Sequence, residues 1–112
     1  MYDEEKSLLE DEYFVLLVVS HEISHSWFGN MATLKWWDNV WLNEAFANTL
    51  MYFAMDYLKP EFKVSDTLVV HDTFEVMEKD SVETSHPVST YVEDPREIQQ
   101  YFDEIGILLF IY

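Results

Sequence analysis

The sequence predicts a mainly α-helical chain, and three observations lead there. Only two Gly and three Pro punctuate 112 residues, too few for the turns of a many-stranded fold. Apolar side chains recur at helical spacing, as in Val40, Phe46, Leu50, Phe53 and Tyr57. His21 and His25 stand four residues apart, and that spacing carries chemistry only on a helix. Core material is ample, since 49% of the residues are hydrophobic and 17% aromatic, unlike disordered acidic segments.

The first helix is expected from Ser7, a candidate N-cap with Glu10 three positions on, to about Phe28. Its apolar run Phe14–Val19 fits a buried strand equally well on propensity alone; the two His that follow decide for helix. Gly29-Asn30 is expected to close it, and residues 31–37 to form a connector or short strand. A second helix is expected from about Asn39 to Leu58, stopping at Lys59-Pro60 because a residue before Pro disfavours helix. A third should run from about Glu61 to Lys79, carrying Phe62, Leu68, Val69, Phe74, Val76 and Met77. A loop around Ser85-His86-Pro87-Val88 then leads to a short helix from about Pro95 to Ile105.

Charge and composition exclude several functions. With 22 acidic and 6 basic residues the formal net charge is −16, which argues against nucleic acid or an anionic membrane surface as partner. There is no Cys, so neither a disulfide framework nor a thiolate metal site is available. Met1 leads into Asp3, Glu4 and Glu5 rather than a basic leader, and no stretch approaches the roughly 18 apolar residues of a spanning helix. The acidic clusters read as a solvated face, and His71 as a surface residue.

Chemistry concentrates in His21-Glu22-Ile23-Ser24-His25. Two His at i and i+4 project from one helix face, as two ligands of one metal ion must, and Glu22 beside the first can serve as a general base. A catalytic zinc site needs a third protein ligand. Glu44, on the next expected helix, is the best candidate, because an acid among Leu42, Ala45, Phe46 and Ala47 is costly to bury without a cation. One Zn²⁺ ion is the expected cofactor. The neighbouring Trp27, Phe28, Trp36, Trp37 and Trp41 are expected to pack around the site.

The stretch His21-Glu-Ile-Ser-His25-Ser-Trp27-Phe28-Gly29-Asn30, then Trp36-Trp37, then Trp41-Leu42-Asn43-Glu44-Ala45-Phe46-Ala47 resembles the membrane alanyl aminopeptidase family of zinc peptidases. The likeness extends through Tyr2-Asp3, Ser85-His86-Pro87-Val88 and Phe102-Asp103-Glu104-Ile105, covering residues 2–105. It implies His21, His25 and Glu44 as zinc ligands and Glu22 as catalytic base. It further implies hydrolysis of N-terminal peptide bonds by zinc-activated water, on peptides with a free N-terminus. The implied fold is the helical part of a thermolysin-like zinc peptidase catalytic domain. Members of the family are membrane-anchored ectoenzymes or cytoplasmic.

Residues 1–112 are accordingly expected to form part of a peptidase catalytic domain, family-like over 2–105 with a divergent apolar tail at 106–112, and to need the remainder of a longer parent. Two family elements are not found: the Gly-Ala-Met-Glu-Asn motif that grips the substrate amine, and the Tyr that stabilises the oxyanion, where Ile107 stands. Position 45 is Ala where the family commonly has Gly, and positions 49 and 51 are Thr and Met where it often has Tyr and Glu. An alternative expectation is therefore a catalytically impaired, zinc-binding fragment.

Overall fold

The structure is a computed structural model that describes residues 9–67, 73–83, 85, 87, 89 and 91–96. Ser7, His71, His86, Ile107, the expected final helix beyond Arg96 and the apolar tail lie outside these residues. The described part is helical, in keeping with the sequence.

Helix α1 spans Leu9–Ser24, with Glu10, Asp11 and Glu12 in its first turn, where negative charge meets the positive end of the helix dipole. It ends four residues before the expected Phe28. The Ser24 hydroxyl donates to the Ser20 carbonyl at 2.8 Å, and the amides of Ser26 and Trp27 reach back only three residues, tightening the chain. The amides of Asn30, Met31 and Ala32 then reach back five residues, to the carbonyls of His25, Ser26 and Trp27. Gly29 therefore sits inside a compact loop rather than at the helix terminus. Its φ of +133° is a conformation that side-chain-bearing residues rarely adopt. The expected connector contains one isolated bridge, Phe28 with Ala32, and a 3-10 turn at Trp37–Asn39.

Helix α2 spans Val40–Leu58, close to its expected bounds. The Lys59 amide closes it on the Met55 carbonyl at 2.8 Å, and Pro60 starts a separate 3-10 turn, Pro60–Phe62. The third helix is not continuous. Lys63 adopts the left-handed conformation (φ 50°, ψ 51°), and the short α3, Val64–Thr67, follows it; α4 spans Phe74–Asp80. The break turns Phe62 onto Tyr13, ring centroids 5.5 Å apart at 78°, and directs Val64 into the core.

Helices α1 and α2 pack in opposite directions. The Glu12 carboxylate near the start of α1 meets Lys59 beyond the end of α2 at 2.6 Å, whereas His21 near the end of α1 meets Glu44 near the start of α2. Between them Met51, Tyr52 and Met55 of α2 form a buried cluster with Val64, against which Tyr13, Leu16, Leu17 and Phe62 pack. The outer face of α1 leaves Phe14, Val15, Val18 and Val19 in solvent. The expected packing of the aromatic residues holds only in part: Phe28 stacks on Phe46 at 4.3 Å, but Trp27, Trp36 and Trp37 are exposed. They lie on the loop and turn between the two helices, where no described element covers them; Trp36 still donates its indole N–H to the Val92 carbonyl at 2.7 Å. Among the described residues no helix is long and apolar enough to cross a membrane.

Candidate metal centre

Antiparallel packing brings the last turn of α1 against the first turns of α2. His21 Nε2 and His25 Nε2 stand 2.9 Å apart. Glu44 Oε2 lies 3.2 Å from the first and 3.6 Å from the second. The three side chains are mostly buried, their residual exposure between 16% and 23%. Among the described residues they form the group of three His or acidic side chains able to hold a metal ion. Glu22, the fourth expected site residue, is exposed and stands outside that trio.

Each imidazole is held from behind by an oxygen. The Nδ1–H of His25 donates to the Phe28 carbonyl at 2.9 Å, and a carbonyl can only accept, so the proton of the neutral ring sits on Nδ1. The Nδ1–H of His21 likewise donates to Asn48 Oδ1 at 2.7 Å. Both Nε2 lone pairs then point at the Glu44 carboxylate and at each other. Three electron-rich atoms within 3.6 Å repel unless a cation or proton lies among them. The separations suit a cation, since donors at zinc-bond lengths of about 2.0–2.1 Å around a tetrahedron stand roughly 3.3 Å apart. The donor set therefore fits zinc.

Electrostatics point the same way. His21 is held above the ordinary imidazole value, first by its hydrogen bond to Glu44, against an opposing effect of burial; the charges of Glu44 and Glu22 and the Asn48 bond add to the rise. Without a metal, the site draws a proton into the same position.

The loop after α1 is part of this geometry. A Cβ on Gly29 would come within 3.3 Å of the His25 carbonyl oxygen and 3.4 Å of His25 Nδ1. The turn that presents the Phe28 carbonyl to His25 thus depends on the backbone freedom of glycine, with little room to spare beside the His25 carbonyl. The sequence points to Gly29 as a helix terminator, not as the residue that lets the turn hold His25, and it does not point to Asn48. Asn48 carried a usable signal, lying one helical turn beyond Glu44 on the same face.

The sequence profile described as the peptidase family M1 domain matches residues 1–107. The chain belongs to peptidase family M1. Relatives within it include a leucyl aminopeptidase of Saccharolobus solfataricus, 44% identical over 92% of this chain. Endoplasmic reticulum aminopeptidase 1 of Mus musculus is 42% identical and aminopeptidase N of Bos taurus 40%, each over 95% of the chain. The chain spans only 11–13% of the length of these relatives. The M1 match agrees with the resemblance read from the motifs, and the helical architecture agrees with the helical part of an M1 peptidase domain.

Proposed function

We propose that this M1 segment is the zinc-binding catalytic element of an aminopeptidase, with His21, His25 and Glu44 as metal ligands and Glu22 as general base. The observation that carries the reading is the convergence of two Nε2 atoms and one carboxylate oxygen within 3.6 Å. Zinc bound there would supply a Lewis acid that acidifies water and polarises a carbonyl at neutral pH. Glu22, exposed and adjacent to His21, takes the proton from the attacking water as its oxygen bonds to the peptide carbonyl carbon. It delivers that proton to the amine as the C–N bond breaks. The substrate class, peptides with a free N-terminus, is carried over from the relatives named aminopeptidases. The partner in this reading is the remainder of a longer peptidase.

A second reading is favoured by Ile107, which stands where the resembling family places its oxyanion-stabilising Tyr. Loss of such a donor costs roughly 10²–10³ in rate. In that case the chain binds zinc but turns over poorly.

Zinc content after dialysis, with turnover of a fluorogenic aminoacyl substrate, separates the two. The first reading expects one zinc per chain and turnover that falls by about 10²–10⁴ in Glu22→Gln with zinc retained. Zinc without Glu22-dependent turnover selects the impaired element. A chain that holds no zinc rejects both.

A further inference from the structure

The helix that supplies Glu44 also presents, one turn later, a second polar side chain to His21. Asn48 is 7% exposed, and its Oδ1 accepts the Nδ1–H of His21 at 2.7 Å across the α1–α2 interface. Neighbouring positions on α2 do not serve this purpose. The Thr49 hydroxyl donates to the Ala45 carbonyl of its own helix at 2.8 Å, and Met51 lies in the apolar core. We infer that Asn48 is the positioning residue for His21, fixing by its amide oxygen which imidazole nitrogen carries the proton and so which one faces the metal.

The physical case rests on donor and acceptor inventory. A neutral imidazole has one N–H and one lone pair, and a metal takes the lone pair. An oxygen at 2.7 Å from Nδ1 stabilises the tautomer with the proton there and leaves Nε2 bare toward Glu44. Partners of this kind also stop the ring from turning about its bond to Cβ, and their removal typically weakens metal binding about 10–100-fold. Asn48 does this without charge, unlike a carboxylate, so His21 is oriented while no further negative charge enters the site. Glu44 and Asn48 share one face of α2, so a ligand and the orienting group of another ligand move as one rigid unit.

This inference rests on the zinc-binding reading, and its test can fail separately. Zinc affinity is measured by competition with a chromogenic chelator for the parent chain, Asn48→Leu and Asn48→Asp, each checked for folding by circular dichroism. A positioning role expects Asn48→Leu to bind roughly 10–100-fold more weakly and Asn48→Asp to bind at least as tightly as the parent. A packing role expects the reverse ranking, because Leu fills a buried site at little cost while a buried carboxylate disrupts it. Nitrogen-15 spectra of the zinc-loaded parent supply a readout independent of affinity: His21 should carry its proton on Nδ1 and be ligated through Nε2. A proton on Nε2, or a Leu variant with parental affinity, overturns the role of Asn48 while leaving the zinc site standing. A parent chain that takes up no zinc overturns both.

Discussion

One helix pair carries two unlike ends. Where α1 starts and α2 finishes, Tyr13, Leu16 and Leu17 meet Met51, Tyr52, Met55, Phe62 and Val64 in an apolar cluster. Where α1 finishes and α2 starts, His21, His25, Glu44 and Asn48 meet through polar atoms 2.7–3.6 Å apart. Apolar burial stabilises without regard to direction, whereas hydrogen bonds fix orientation and contribute modest net stability. Three electron-rich donors facing one another cost free energy when no cation lies between them. The two ends divide the labour: one holds the helices together, and the other uses that support to hold mutually repelling donors in place.

Damage to the apolar end should cost the most stability. Met55 is fully buried, and Met55→Ala removes most of its side chain from the cluster. The expected loss is about 2–5 kcal/mol of unfolding free energy, read by denaturant titration. Zinc affinity of the molecules that remain folded should be unchanged, because the cluster to which Met55 belongs holds none of His21, His25, Glu44 or Asn48. A loss below about 1 kcal/mol would show that the cluster is not what holds the pair together.

A smaller effect is expected at the polar end from Gly29→Ala. The backbone there has φ +133°, and the new Cβ would crowd the carbonyl oxygen of His25 at 3.3 Å. Strain of this kind costs about 1–3 kcal/mol. Unlike Met55→Ala, this change should also weaken zinc binding, by about tenfold or more, because moving the turn pulls the Phe28 carbonyl from His25 Nδ1. Denaturant titration and chelator competition on the two variants test the contrast. Parental zinc affinity in Gly29→Ala would mean that the turn does not position the ring.

The two ends also differ in how far they could be read from sequence. That His21, His25 and Glu44 come together was legible because the i, i+4 spacing is a geometric statement about a helix, and a carboxylate among apolar neighbours asks for a cation. Val40–Leu58 was legible because Lys59-Pro60 marks its end. The end of α1 was not, because the apolar residues continue to Phe28 while the chain has already left the helix through hydrogen bonds reaching three and five residues back. Periodicity detects a face and does not detect which carbonyl an amide chooses. The break at Lys63 was hidden for a related reason: no Gly announces its left-handed conformation, and apolar residues flank it on both sides. The exposure of Trp27, Trp36 and Trp37 depends on what lies opposite them, which composition does not encode.

A weaker signature, a pH dependence, belongs to the polar end alone. In the metal-free chain His21 is held above its ordinary value, chiefly by the Glu44 hydrogen bond. A raised folded-state value means that the folded chain binds the proton more tightly than the unfolded chain. The resulting stability is fully present below the ordinary imidazole value of about 6.5 and is lost as pH rises through the raised value. Zinc and the proton compete for the same Nε2, so zinc affinity should rise across that same window and level off above it. Thermal midpoints of the metal-free chain should therefore fall between about pH 6.5 and the raised value, while zinc affinity climbs. His21→Gln should flatten the His21 part of the metal-free slope, and Met55→Ala should lower the whole curve without changing its shape. If His21→Gln left the slope intact, the proton drawn into the site would belong to another group, and the repulsion assigned to the polar end would have to be relocated.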